Sequence, residues 1–142
     1  MPQGSITFTV KKSPSEAFAY IADMENAPNW VPDLVSVEKA TPGDVRVGTV
    51  FNEVVRMGDK EMAGSMEVTE YDPPRVYAHA GEGGPSKFSA RFTFEADGEG
   101  TRVVHDYEVE VGGVLKLMSP VIGGWVKCNS ERAVEELKRI LD

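Results

Sequence analysis

The sequence predicts an α+β fold in which a curved antiparallel sheet closes on one long C-terminal helix. Three observations carry this. From Ser119 onward, Val121, Ile122, Trp125, Val126, Ala133, Val134, Leu137, Ile140 and Leu141 recur at three- and four-residue spacings, so they share one helical stripe. Most of the chain before it alternates apolar and polar with period two, in segments joined by tight turns, the pattern of antiparallel strands with one covered face. Two short helical stretches with cap signals interrupt that pattern after its first segment. The terminal stripe must leave water, and the β-patterned part of the chain is the surface available to receive it.

The elements follow in order. Ile6, Phe8 and Val10 alternate with Thr7, Thr9 and Lys11, a half-buried strand. Ser13 then caps a helix, with Pro14 at its first position and Glu16 completing a capping box, and Ala17, Phe18, Tyr20 and Ile21 form its apolar face. Asp23 ends that helix and caps a second one, roughly 25–30, kept short by Pro28 and Pro32. Val35 and Val37 alternate with Ser36 and Glu38. After the turn 41–44 a strand runs from about Gly48 to Met57, and Gly58-Asp59 is a hairpin signal. Residues 60–71 form the next strand, with Met62, Gly64, Met66 and Val68 on one face. Asp72-Pro73-Pro74 breaks it. A short strand, 75–80, and a glycine-rich loop, 81–85, follow. Phe88, Ala90, Phe92 and Phe94 share a face of strand 87–96, and Val103, His105, Tyr107, Val109 and Val111 share a face of strand 101–111. The polar side of the terminal helix includes Glu135 and Arg139, spaced to support each other. Gly123-Gly124, costly inside a helix, suggests a bend or a separate first helical piece there.

Totals exclude several classes. At 142 residues the chain is expected to be one domain, 1–142, large enough to bury roughly two thirds of its unfolded surface. A net charge of −8 without a Lys/Arg cluster disfavours nucleic acid and anionic membrane surfaces. Cys128 has no partner for a disulfide and no nearby histidine to activate it, so a buried, inert thiol is expected. One Cys with His79 and His105 makes no zinc spacing, and no metal or cofactor is expected. No signal-peptide core and no run of roughly 18 apolar residues occurs, which points to a cytoplasmic protein without membrane insertion.

Chemistry-bearing residues are few. His105 and Tyr107, two apart on an apolar strand face, suit holding a carbonyl or passing a proton, unless the imidazole is a core group bonded to a neighbour. Glu53 falls on the face of Phe51 and Val55. Buried there, its carboxyl would hold its proton to higher pH and act as base or donor, whereas a one-residue slip would put it in water. Met62, Met66 and Met118 suit either an adaptable pocket or simple core filling. Trp30 either stacks on a ligand or closes the core, and Trp125 reads as a core anchor. His79 has no face assigned by pattern. No phosphate-cradling glycine loop and no nucleophile elbow is present.

Ser13-Pro14-Ser15-Glu16-Ala17-Phe18, Tyr20-Ile21-Ala22-Asp23, and Asn26, Pro28, Trp30 and Pro32 together resemble the N-terminal signature of the START-like (SRPBCC) superfamily. Within it the chain resembles the polyketide cyclase/dehydrase-like and lipid-transport group. Gly48-Thr49-Val50-Phe51, Tyr71-Asp72-Pro73-Pro74-Arg75, Phe92-Thr93-Phe94-Glu95 and Gly100-Thr101-Arg102-Val103 fall where that group has similar segments. The resemblance implies the helix-grip fold: a seven-stranded antiparallel sheet wrapped around the long C-terminal helix, with two short helices after strand 1 and an apolar cavity between sheet and helix. It makes Trp30, Phe51, Glu53, Met62, Met66, Phe92, His105, Tyr107, Met118, Ile122 and Trp125 the expected ligand-binding set. The expected function is binding of a small hydrophobic or amphipathic molecule (lipid, polyketide or aromatic) by a monomer or homodimer. The alternatives are a cyclase/dehydrase-type enzyme working through His105, Tyr107 and Glu53, and a non-catalytic protein-interaction domain. Cyclases of this fold orient their chains with polar cavity groups, often arginine; here Arg56, Arg91 and Arg102 all alternate outward, which weighs against the enzyme.

Overall fold

The computed structural model describes residues 3–57, 59–83, 86–111 and 119–142. Strand β1 (Gln3–Val10) leads into helix α1 (Pro14–Ala22) and a 3-10 turn, Met24–Asn29. Strands β2 (Leu34–Lys39), β3 (Val50–Met57), β4 (Lys60–Asp72), β5 (Val76–Gly83), β6 (Ser86–Asp97) and β7 (Gly100–Val111) follow, then helix α2 (Ser119–Leu141). Among the described residues the seven strands make one sheet in the order β1-β7-β6-β5-β4-β3-β2, antiparallel throughout. This is the expected helix-grip architecture.

Both N-caps form as the sequence predicts, but the reciprocal half of the capping box does not: the Glu16 carboxylate takes the Ser13 hydroxyl rather than its backbone N–H. Ser13 Oγ accepts from the Glu16 backbone N–H at 3.3 Å and donates to the Glu16 carboxylate, and Asp23 accepts from the Glu25 N–H at 3.2 Å. Each satisfies a backbone donor that a helix start leaves orphaned. Helix α1 buries Ala17, Phe18, Ile21 and Ala22. Phe18 meets Phe94 and Tyr71 edge-on at centroid distances of 5.3 and 5.4 Å.

Tyr71 reaches the core through a register break. On a regular β4 its odd number would point it outward, but a bulge between Val68 and Glu70 resets the alternation. A second bulge, between Leu34 and Ser36, corrects the reading of β2. Leu34 and Val37 pack on the core, and Val35 stands 40% exposed. Strand β5 is longer than its sequence suggests. Gly81, Glu82 and Gly83, expected in a loop, pair with β4 and β6 as strand residues. The expected hairpin at Gly58-Asp59 has its Gly58 outside the described residues.

Helix α2 runs as one element from Ser119 to Leu141, so Gly123-Gly124 does not set off a separate first helical piece. Val126, Ala133, Val134, Leu137 and Leu141 are buried. Its C-terminal end is tied down: the Leu141 carbonyl accepts from the Lys12 N–H at 3.2 Å, and the Asp142 carboxylate accepts from the Lys11 N–H at 3.1 Å. Two expectations fail on this helix. Cys128 is exposed, because it lies two residues, some 200° of helical turn, from buried Val126. Arg139 pairs with Glu136, not Glu135, donating to its carboxylate at 2.6 Å. Among the described residues no helix is long and apolar enough to cross a membrane.

Candidate functional site

Register decides which side chains face α2. In β7, Thr101, Val103 and His105 are buried, so the odd positions point inward, as their alternation predicts. Pairing carries that parity across the sheet. Val68, His79, Ala90, Tyr107 and Gly4 lie on one line, and Tyr77, Phe92, His105 and Ile6 on the next. Glu53 of β3 stands opposite Gly64 of β4 and is 7% exposed. Arg56, Arg91 and Arg102 are exposed and paired with Glu61, Glu70 and Glu95. Thr49, Glu53, His79, Thr101 and His105 are the buried polar side chains among the described residues.

The centre of this face is aromatic. His105 lies flat on its cross-strand neighbour Phe92, with centroids 4.2 Å apart and planes within 8°. Trp30 meets Phe92 edge-on at 6.0 Å, and Tyr107 leans toward His105 at 5.6 Å. The Nδ1 of His105 and the indole N–H of Trp30 are both buried, and neither has a hydrogen-bond partner among the described residues. Buried polar atoms in folded proteins are nearly always paired, because leaving one unsatisfied costs about 1–3 kcal/mol.

Glycines shape the face around these groups. A Cβ on Gly4 would stand inside the Tyr107 ring, one on Gly81 would lie 2.8 Å from the Phe88 ring, and one on Gly64 would lie 3.2 Å from the Glu53 carboxylate. Each glycine therefore seats a side chain from the neighbouring strand. This is why the end of β5 reads as a loop by composition yet pairs as a strand: Gly81 serves close approach, to the Phe88 ring and the β4 backbone, rather than a turn.

Burial sets the protonation states. Loss of water pushes the Glu53 carboxyl up to about 7. It pulls both imidazoles down to about 4; the proximity of His105 adds to the effect on His79, and Asp106 partly opposes it on His105. The Tyr77 phenol is pushed upward by burial. At neutral pH the inner face thus carries two neutral imidazoles, a neutral phenol and a carboxyl near its midpoint.

The sequence-predicted residues divide accordingly. Phe51, Glu53, Met66, Phe92 and His105 are buried on the inner face, as is Trp30 against Phe92, while Met62 and Tyr107 are half-buried there. Met118 and the side chains of Ile122 and Trp125 lie outside the described residues. Pattern reading misses His79 and Tyr77. His79 is 8% exposed, and its Nδ1 lies 3.2 Å from the Tyr77 hydroxyl. Their odd numbering in a strand centred on a buried tyrosine is the available signal, hidden by the short length read for β5. An open groove of about 600 Å³ is bordered by the outward residues Ser5, Ala78, Ser89, Arg91 and Asp106, and also by Gly4, His79, Ala90 and Tyr107. It includes neither Glu53 nor His105. Among the described residues no cluster of His, Cys, Asp or Glu is placed to hold a metal ion.

Solved structures with this fold are numerous. A START superfamily protein from Mycobacterium smegmatis superposes with a TM-score of 0.82 at 16% identity, over 98% of this chain and 96% of that one. A protein from Thermus thermophilus gives 0.81 at 20% identity, over 97% and 95%. The Zhui aromatase/cyclase from a Streptomyces species gives 0.78 at 18% identity, over 98% and 92%. At these identities the likeness is one of fold. No curated protein matches the sequence significantly. The family model described as "Polyketide cyclase / dehydrase and lipid transport" matches residues 1–142, and the chain belongs to that family.

Proposed function

We propose that the protein binds a small, mainly apolar molecule between the inner face of the sheet and α2. The observation that carries this is the pair of buried, unpartnered polar atoms, His105 Nδ1 and Trp30 Nε1, on two rings that both contact Phe92. A guest supplying one acceptor and one polar hydrogen would satisfy both, while Phe92, Met66 and Phe51 contact its apolar body. The family description names lipid transport beside cyclase and dehydrase activity, and supports a hydrophobic cargo. The ligand-binding set is then Trp30, Phe51, Glu53, Met62, Met66, Phe92, His105 and Tyr107, joined by Met118, Ile122 and Trp125. Native mass spectrometry, with titration of a panel of fluorescent fatty acids, isoprenoids and aromatic polyketides, tests it. Saturable binding that His105→Phe weakens is expected; no binding across the panel overturns the reading.

A second reading is an enzyme of the cyclase/dehydrase type. Glu53 favours it, since a carboxyl poised near 7 suits proton transfer at neutral pH. In that reading Glu53 moves the proton while His105 and Tyr107 orient a carbonyl. Turnover of a poly-ketone unchanged by Glu53→Gln excludes it. The acidic charge balance supports a ligand other than nucleic acid, and a cytoplasmic location agrees with the composition.

A further inference from the structure

The inner face holds a polar pair for which the proposed ligand set has no role. Tyr77 is 0% exposed, and among the described residues its hydroxyl has one partner, His79 Nδ1, at 3.2 Å. Both side chains are inward. Tyr77 pairs across the sheet with Phe92, and His79 with Ala90, in the lines that hold His105 and Tyr107. The His79 ring also meets Phe88 edge-on at 6.1 Å, so it is held on two sides.

The direction of the proton in this bond follows from chemistry. A phenol O–H is a stronger acid than an imidazole N–H, and an imidazole nitrogen is a stronger base than a phenol oxygen. The phenol therefore donates and Nδ1 accepts. A neutral imidazole carries one proton, so if Nδ1 accepts, Nε2 bears the hydrogen. His79 then carries its N–H donor on Nε2, the ring nitrogen that Tyr77 does not engage. The buried polar side chains among the described residues include no lysine or arginine to balance an anion, and an unpaired anion is costly to desolvate.

We infer that Tyr77 is a positioning residue that locks His79 as an Nε2–H donor, and that the ligand is an uncharged molecule whose carbonyl oxygen accepts this hydrogen bond. This rests on the proposed interior binding site and adds to it the chemical class of the ligand: a ketone or ester is taken, and the carboxylate of the same length is refused. The orphaned His105 Nδ1 is independent support, because it too marks polar ligand chemistry in this interior.

Nitrogen-15 NMR of the two histidine rings in the full-length protein tests the tautomer directly, with His105→Gln assigning the signals. The expected result is a pyrrole-like Nε2 and a pyridine-like Nδ1 on His79 in the unsubstituted protein, and mixed tautomers in Tyr77→Phe. A protonated Nδ1 on His79 in the unsubstituted protein overturns the assignment, and that measurement needs no variant to fold. Titration with methyl nonyl ketone and with decanoate tests the ligand class. The ketone should shift His79 Nε2 and bind at least roughly tenfold tighter than decanoate, with roughly tenfold lost in His79→Phe, the magnitude of one neutral hydrogen bond. Ketone binding that leaves His79 Nε2 unmoved, or equal affinity for decanoate, overturns this inference while the interior site stands. Failure of both probes and of the wider panel overturns the site itself, and the ligand class with it.

Discussion

One sheet carries two different interiors. Toward α1 and the C-terminal end of α2, the inner face is Phe8, Val10, Phe94 and Val103, closed by Phe18, Ile21, Leu137 and Leu141. Every one of these side chains is apolar, and the aromatic rings meet edge-on. A few residues along the same strands, the face becomes Glu53, His79, His105 and Tyr107, with Gly4, Gly64 and Gly81 between them. The strand pairing is the same in both regions. The difference teaches that the first end is built for stability and that the second gives up stability for hydrogen-bonding groups with incomplete partners.

Changes at each end should therefore act differently, and the largest effect is expected at the apolar end. Phe18→Ala removes a ring that touches both Phe94 and Tyr71, and should cost about 3–5 kcal/mol in chemical denaturation. A much smaller loss would mean that this end is not close-packed.

The polar end should show itself through pH. In the unfolded chain Glu53 ionises near 4.5, but in the fold it keeps its proton up to about 7. Between those values the folded state binds more protons, so this group makes the fold less stable as pH rises, by about 3 kcal/mol at completion. The histidines act oppositely: unfolded they protonate near 6.5 and folded near 4, so through that window they add stability as pH rises. Glu53→Gln should remove the first trend and leave the second. Its stability relative to the unsubstituted protein should improve by about 3 kcal/mol between roughly pH 4 and pH 8. A pH-independent difference would show Glu53 to be solvated.

Glycine substitutions sharpen the contrast further. Gly81→Ala drives a methyl into the Phe88 ring and the β4 backbone, and should cost about 1–3 kcal/mol. Gly124→Ala in α2 meets open space, and should instead stabilise by about 0.5–1 kcal/mol. Thermal unfolding of the two variants side by side checks the opposite signs. The smallest effect is expected on the outer face. Arg91→Ala breaks the exposed pair with Glu70 at 2.8 Å and should change stability by less than about 1 kcal/mol, less still at high salt.

Much of this is legible in the residues. The Ser13 and Asp23 caps, the outward arginines, the inward Glu53 and the inward odd positions of β7 all follow from local periodicity and cap chemistry, which are properties of short segments. The misreadings have specific physical origins. A bulge resets parity without leaving a composition mark, so alternation does not place Val35 and Tyr71. Glycines that seat a neighbouring ring look like turn glycines until the neighbour is known, so β5 reads as too short and His79 and Tyr77 stay unassigned. The exposure of Cys128 follows from its helical angle, which its thiol chemistry does not reveal.

By itself, then, the sequence determined the order of elements, the caps and the stripe by which α2 is held, because each depends on residues close together in the chain. Tertiary structure alone decided that Tyr77 lies against His79, that His105 stacks on Phe92, and that the buried ionisable groups Glu53, His79 and His105 lie away from the end closed by α1. The stack of His105 on Phe92 depends on the pairing of two strands, and the meeting of Tyr77 with His79 inside β5 depends on which face that strand turns inward; pairing register, which no single segment encodes, sets both.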